Sequence, residues 1–411
     1  MRFSPWLILF CVAATAGLVF AGFSTHDFVQ HLDRQVHSIT CSFIPGLAAP
    51  DASGASGCHV TLMSPYSSVF RKDVWGGLPI SLPAMAVFAF LLFRGVDTMV
   101  NRRSDEVAPR TFLVAASLVP VLASVVMGYI ALAELDAACK LCIGIYASSA
   151  LCLVGAVLAW REAKSAPELG ADIGLAFDGD REEENPLREH ALSFGQGVGF
   201  VAVPALVYLI AMPSYDQYVG GCGELLKTDD PNKVMVPLEV GSGGRKAIEV
   251  VDPLCPSCRA FEKRLFASGL AEGMSRDAVL FPLDNTCNWM VGSAVHPGAC
   301  TVSEAVLCAE GQGKAVLEWA FANQEAIREA ATKDPGAAAE MVGAAFPQVK
   351  GCIGKPAVKS RLNKSLRWVV ANQLPVLTPQ FFVDGKKLCD ADTDLGMDYA
   401  LSRLLAPPEA P

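Results

Sequence analysis

Five long stretches of the chain carry no charged side chain: Trp6–Gly22, Leu78–Phe93, Thr111–Ala133, Leu141–Trp160 and Ala191–Ser214. A bilayer core about 30 Å thick takes about 20 apolar residues as a helix, and in hydrocarbon each backbone polar group needs an internal partner. The third and fourth stretches meet that length, and the second can run on past Arg94 to Val100. The first can be read as a spanning helix or as a signal segment, because Val19-Phe20-Ala21 resembles a small-residue cleavage site. Composition points the same way. Of 411 residues, 52% are hydrophobic and 18% are charged, against about 25% charged in ordinary soluble domains. A net charge of −9 argues against a nucleic-acid partner. The expected architecture is a polytopic helical membrane bundle, a four-helix core plus a fifth linking helix, followed by an α/β domain.

Orientation follows from Lys and Arg near the spans. The 94–110 connection carries Arg94, Arg102, Arg103 and Arg110, and the 161–190 connection carries Arg161, Lys164, Arg181 and Arg188. The 134–140 connection has Lys140 alone, whereas 23–77 holds Arg34, Arg71 and Lys72. The balance places 94–110 and 161–190 inside, hence the residues after Ser214 outside. Residues 161–190, with Glu182-Glu183-Glu184, read as a solvated connector, and the Pro-rich end of the chain as a tail.

From about Tyr215 the pattern changes. Lys246–Val251 reads as a buried strand, Asp252-Pro253-Leu254 as a turn, and Cys258–Ala271 as a helix by the spacing of Phe261, Leu265 and Leu270. Ala278–Pro282 is a second strand, 300–372 is mostly helical, and Asp384-Gly385 joins a hairpin of Gln380–Val383 and Lys386–Leu388. Asp394–Leu405 reads as a closing helix.

Fourteen cysteines are many for a reducing cytosol. Cys255-Pro256-Ser257-Cys258 sits between a strand and a helix. A helix N-terminus favours a thiolate, the attacking species in disulfide exchange, and the second cysteine lies close enough to resolve a mixed disulfide. Half of a zinc site is the alternative, but it requires two further ligands. Thr378-Pro379 precedes the hairpin. Together, residues 246–258 and Thr378-Pro379 resemble the thioredoxin superfamily, in its periplasmic disulfide-exchange branch with a helical insertion. The resemblance implies a cis proline at Pro379 facing the dithiol, with its loop backbone binding substrate; an ordinary trans turn proline is the other reading.

Cys139-Lys140-Leu141-Cys142 opens the fourth apolar stretch, with both thiols on about one turn, and Cys41 and Cys58 lie in the 23–77 segment. Structural disulfides or a metal half-site remain open for these pairs. Cys11 and Cys152, inside spans, read as small hydrophobes. The run Cys58–Phe70, with Ser64 six residues after Cys58, the segment Gly77-Leu78-Pro79-Ile80-Ser81, and Cys139–Cys142 followed by Tyr146 make residues 1–160 resemble the vitamin K epoxide reductase family. Bacterial members carry a fifth span and a fused thioredoxin-like domain, which is the layout here and favours an uncleaved first helix. Two departures stand out: Arg71-Lys72-Asp73-Val74-Trp75 is an unusual insertion, and Cys41 and Cys58 are far apart.

The resemblance implies a membrane domain over 1–160, a loop and fifth helix over 161–215, an extracytoplasmic thioredoxin-like domain over 216–405 and a tail over 406–411. It implies a plasma (inner) membrane protein, redox cysteines on the periplasmic side, and thiol–disulfide exchange in series. A reduced client protein meets Cys255 and forms the mixed disulfide, which Cys258 resolves. Electrons then pass to Cys41, Cys58, Cys139 and Cys142, beside a quinone of ubiquinone or menaquinone type drawn from the membrane pool. Ser64 and Tyr146 are candidate quinone-pocket residues, with packing as the competing role. The same resemblance pairs Cys287 with Cys300 around the turn that holds His296. Cys222, Cys308, Cys352 and Cys389 have no assignable connectivity. His296 reads as a turn residue rather than a metal or acid–base group, and no metal site is expected. The alternatives are a reductase or isomerase running the relay in reverse, an anchored binding domain with structural cysteines, and a metal-handling protein.

Overall fold

A computed structural model describes residues 4–34, 57–100, 107–135, 137–165, 186–213, 215–241 and 244–406. Cys41, Arg102, Arg103, Arg181, the acidic run Glu182–Glu184 and the Pro-rich tail lie outside the described residues. The chain forms two compact units. One is drawn from Met1–Phe70 and Gly77–Pro213, the other from Arg71–Gly76 and Ser214–Pro411.

The first unit is helical: α1 (Pro5–Gln30), α2 (Gly57–Leu62), α3 (Ser81–Val100), α4 (Val107–Tyr129), α5 (Lys140–Ser165) and α6 (Pro186–Ala211). A two-residue antiparallel pairing of β1 (Ser68–Val69) with β2 (Leu78–Pro79) leads into α3. Among the described residues, five helical stretches are long and apolar enough to cross a membrane. Helix α1 packs against α3 and α5, α4 packs against α5, and α6 lies along α3. The core is built from Leu7, Phe10, Phe88, Leu91, Leu113 and Cys152. A Cβ at Gly155 would sit 3.0 Å from the Phe10 nitrogen, so glycine lets α5 run close to the backbone of α1. Helix α1 extends well beyond the uncharged stretch that ended at Gly22, carrying His26 and Asp27 on the same helix. Helix α4 continues into a five-residue π turn, Ile130–Glu134. Arg94 and Arg110, counted above as loop charges, are buried and pair with Asp97 and Glu162.

The second unit holds a five-stranded sheet in the order β3-β5-β4-β6-β7, made of β3 (Val236–Glu239), β4 (Arg245–Val251), β5 (Met274–Leu280), β6 (Gln380–Val383) and β7 (Lys386–Lys387). Strands β4 and β5 are parallel and joined through α7 (Pro256–Ser268). Strand β6 runs antiparallel to both β4 and β7. Helices α8 (Ala299–Cys308), α9 (Gly313–Ala322), α10 (Gln324–Lys333), α11 (Ala337–Ala345) and α12 (Pro356–Ala371) form the insertion between β5 and β6, and α13 (Met397–Leu405) closes the chain. A βαβ half followed by an antiparallel hairpin and a helix is the thioredoxin-like arrangement.

Two features were hidden from a pattern reading. Strand β3 was not anticipated. Strand β5 begins at Met274 rather than Ala278, because Arg276 inside it is buried by carboxylates and not by apolar neighbours. Its guanidinium bonds Glu239 at 2.8 Å, Glu262 at 2.6 Å and Glu249 at 3.4 Å.

The unusual insertion has a role in the second unit. Arg71 Nε donates to Asp398 Oδ2 at 2.8 Å, with both side chains buried. The Trp75 ring lies 5.0 Å from that of Tyr215 and 5.7 Å from that of Tyr399, against Gly396, where a Cβ would overlap the indole.

Removing one partner of a buried ion cluster strands the others in a poorly solvating interior. Arg276→Ala should therefore destabilise the second unit by about 3–5 kcal/mol, read as a lower thermal unfolding midpoint. An unchanged midpoint would contradict a structural role for the cluster.

Candidate active site

In the second unit the buried strand β4 ends in Asp252-Pro253-Leu254, and Cys255 caps the N-terminus of α7 with Pro256 at the first helical position. Proline suits that position because the N–H it lacks has no intrahelical partner there. Asp252 folds the turn. Its Oδ1 accepts from the Leu254 N–H and its Oδ2 from the Leu283 N–H, both at 2.7 Å, and its carbonyl accepts from the Cys255 N–H at 3.1 Å. Gln324, on α10 and fully buried, donates through Nε2 to the carbonyls of Pro253 and Cys255. Cys255 and Cys258 are both buried free thiols. The Cys255 thiol donates to the carbonyl of Thr378 at 3.6 Å, and the Thr378–Pro379 peptide bond is cis. Cys287 is disulfide-bonded to Cys300, Cys222 to Cys389 and Cys308 to Cys352.

In the first unit a cavity of 590 Å³ opens among α1 to α5. Cys58, Cys139 and Cys142 line it together with Ser64, Tyr146 and Asp27. Cys139 and Cys142 are disulfide-bonded, and Cys58 is also in a disulfide. A Cβ at Gly57 would overlap the Ala138 carbonyl, so glycine permits the backbone contact that sets Cys58 beside Cys139. The Ser64 hydroxyl donates to the Thr61 carbonyl at 2.8 Å, and the Thr61 hydroxyl to that of Cys58. The rest of the wall is mostly apolar, including Phe28, Leu62, Val87, Phe88 and Ile145. A flat apolar ring with polar edges suits such a wall, and the Tyr146 hydroxyl is a donor that fits a quinone carbonyl.

Residues 8–157 match the model of the vitamin K epoxide reductase family. The membrane unit belongs to that family. Among solved structures, the oxidoreductase DsbA from Xylella fastidiosa is 20% identical, covering 41% of this chain and 90% of its own, with a TM-score of 0.29. A thioredoxin-like oxidoreductase from Silicibacter pomeroyi DSS-3 is 18% identical, covering 43% and 88%, with a TM-score of 0.26. No curated protein matches the chain. The thioredoxin-like fold of the second unit rests on its own strand order and connections, and the chain joins that unit to the one matched by the vitamin K epoxide reductase family.

The two thiols of the thioredoxin-like unit differ in acidity. The Cys258 hydrogen bond is the main reason that Cys255 is pulled down to about 6. A bond from Thr378 helps, while burial and the Asp252 charge oppose it. Cys258 is pushed well up by burial, by Cys255 and by the charge of Glu249. The lowering of Cys255 favours its thiolate and the raising of Cys258 favours its thiol, an arrangement suited to thiol exchange. Beneath them Glu249, fully buried on β4, has its own carboxyl raised by burial and by Glu262.

A reading of spacing missed the groups that hold these cysteines. Asp27 escaped because the apolar run before it ended early; Phe28, immediately after it, was the available signal that α1 continues. Asp252, Glu249, Arg276 and Gln324 carry no motif. Their roles come from burial against partners far along the chain.

A depressed thiol contributes stability that is complete above the unfolded value of 9.0 and lost as pH falls through about 6. With the Cys255–Cys258 pair reduced, wild type should gain about 2–3 kcal/mol over Cys255→Ser between pH 5 and pH 8. Denaturant midpoints of the two proteins check this, and a pH-independent difference would refute a depressed Cys255.

Proposed function

We propose that this protein makes disulfide bonds in client proteins outside the cytoplasm and delivers the electrons to membrane quinone. The observation that carries this reading is one cavity wall shared by Cys58, Cys139 and Cys142 in a vitamin K epoxide reductase unit, on a chain that also bears an acidic Cys255. The thioredoxin-like domain over 216–405 and the cavity face the periplasmic side of the inner membrane, with the 94–110 and 161–190 connections inside.

A client thiolate attacks Cys255 Sγ in the Cys255–Cys258 disulfide. That bond breaks and Cys258 takes the electron pair and a proton. The second client thiolate then attacks the client sulfur and expels Cys255 as thiolate, releasing the oxidised client. Electron balance gives this second attack to the client, because resolution by Cys258 would return the client reduced. Two electrons then pass by the same exchange to Cys41–Cys58 and on to Cys139–Cys142. Cys142 faces the acceptor, with Ser64 and Tyr146 contributing polar edges to the pocket. A quinone held there would supply the acceptor for the two electrons, with two protons, and would be released as quinol. Thr378 and the cis Pro379 present backbone to the client chain, and the exposed Val376 and Leu377 offer it apolar contact. Cys287–Cys300 holds the loop beside the dithiol.

The acidity of Cys255 favours the oxidising direction. At pH 7 a thiol pulled from 9.0 to about 6 stabilises the reduced form by about 1.4 kcal/mol, or about 30 mV. A reduced form so stabilised makes the disulfide a better oxidant.

Purified full-length protein given a reduced client peptide and a soluble ubiquinone or menaquinone analogue should reduce the quinone, followed by its absorbance. Cys142→Ala should drop turnover to background and leave Cys255 and Cys258 reduced. Finding them oxidised in that variant, with no other oxidant present, would sink the relay.

A further inference from the structure

The Cys-Pro-Ser-Cys turn contains no cation of its own. The nearest basic side chain on α7, Arg259, is held by Glu325 through two bonds of 2.9 and 2.6 Å. Yet the turn includes a fully buried carboxylate, Asp252, whose charge works against a thiolate at Cys255. His296 meets that carboxylate: its Nδ1 lies 2.7 Å from Asp252 Oδ2, and the imidazole is itself buried. The His296 backbone N–H donates to the Leu283 carbonyl at 3.0 Å, and Asp284 Oδ2 accepts from the Gly298 N–H at 3.0 Å. The Cys287–Cys300 disulfide brackets the same loop. The loop is therefore fixed, and it fixes the ring.

We propose that His296 is a positioning residue for thiol exchange: its imidazolium, held by Asp252, offsets the carboxylate beside Cys255 and stabilises the thiolate that leaves. The inference rests on Cys255 being the exchange thiol. When the second client thiolate attacks the client sulfur, the bond between client and Cys255 breaks and Cys255 departs with the electron pair. No proton need reach Cys255, and His296 keeps its own throughout. The charged and titratable groups acting on His296 are Asp252 on the turn after β4, Cys255 at the start of α7 and Arg328 on α10. Burial lowers the imidazole and Arg328 opposes its charge, but the bond and charge of Asp252 together with Cys255 outweigh them, raising it above its ordinary 6.5. The cation is thus favoured where Cys255 titrates, near 6, and is lost as pH rises through that raised value.

The test uses the full-length protein in detergent with its Cys255–Cys258 pair reduced. Alkylation of Cys255 by iodoacetamide is followed against pH by peptide mass mapping. Wild type should show a half-point near 6. His296→Gln, which can keep a hydrogen bond but not a charge, should raise that half-point by about one pH unit. His296→Lys, which keeps a cation beside Asp252, should leave it near the wild-type value, a rescue that a general loosening of the loop would not produce. A folded His296→Gln protein with the wild-type profile would overturn the proposal. So would a folded His296→Asn protein with that profile, which decides the matter should His296→Gln fail to fold. A Cys255 that resists alkylation in wild type would instead overturn the exchange reading itself.

Discussion

In hydrocarbon an unpaired backbone amide costs several kcal/mol, so a chain crossing a bilayer must satisfy its backbone within each helix. That constraint arranges the first unit. Its long helices leave little room for chemistry along their lengths, and the reactive groups gather where helices begin and end. Cys139 and Cys142 stand at the start of α5, Cys58 is on the short α2, and Asp27 is in the last turn of α1. The cavity they line lies among these ends and is closed by the apolar sides of α3 and α4. Gly57 then matters out of proportion to its size, because the missing Cβ lets two cysteine-bearing segments meet backbone to backbone.

The thioredoxin-like unit solves a different problem. Two free thiols within a single helical turn are shifted in opposite directions. Geometry at the N-terminus of α7 supplies part of the answer, through free N–H groups and the dipole. Burial raises both thiols, and hydrogen bonding is what separates them. Cys258 is fully enclosed and stands over Glu249, whereas Cys255 gains hydrogen bonds from Cys258 and Thr378. The buried ions beneath, Arg276 with three glutamates, hold the sheet under the dithiol at the cost of charged positions in a strand interior.

Much of the fold was legible from local pattern. The five apolar stretches correspond to the five helices long enough to span a membrane. The strand, turn and helix around the Cys-Pro-Ser-Cys motif lie within a few residues of their expected places, and the Asp384-Gly385 turn joins β6 to β7. Local pattern failed where charge is buried by distant partners, as in β5, and where a helix continues beyond its apolar stretch, as in α1.

By itself the sequence determined that this chain holds stretches long and apolar enough to cross a membrane, that a dithiol caps a helix after a buried strand, and that a second CxxC opens an apolar helix. Each of these is a property of neighbours, written in spacing over one or two turns. Tertiary structure alone decided which distant groups meet. It joins Cys222 to Cys389 across 167 residues and Cys308 to Cys352 across 44. It sets His296 on Asp252 and brings Asp27 to the cavity wall. Spacing cannot encode such contacts, because they depend on how whole elements pack, and burial among those elements is what makes an ordinary histidine or carboxylate act on a thiol.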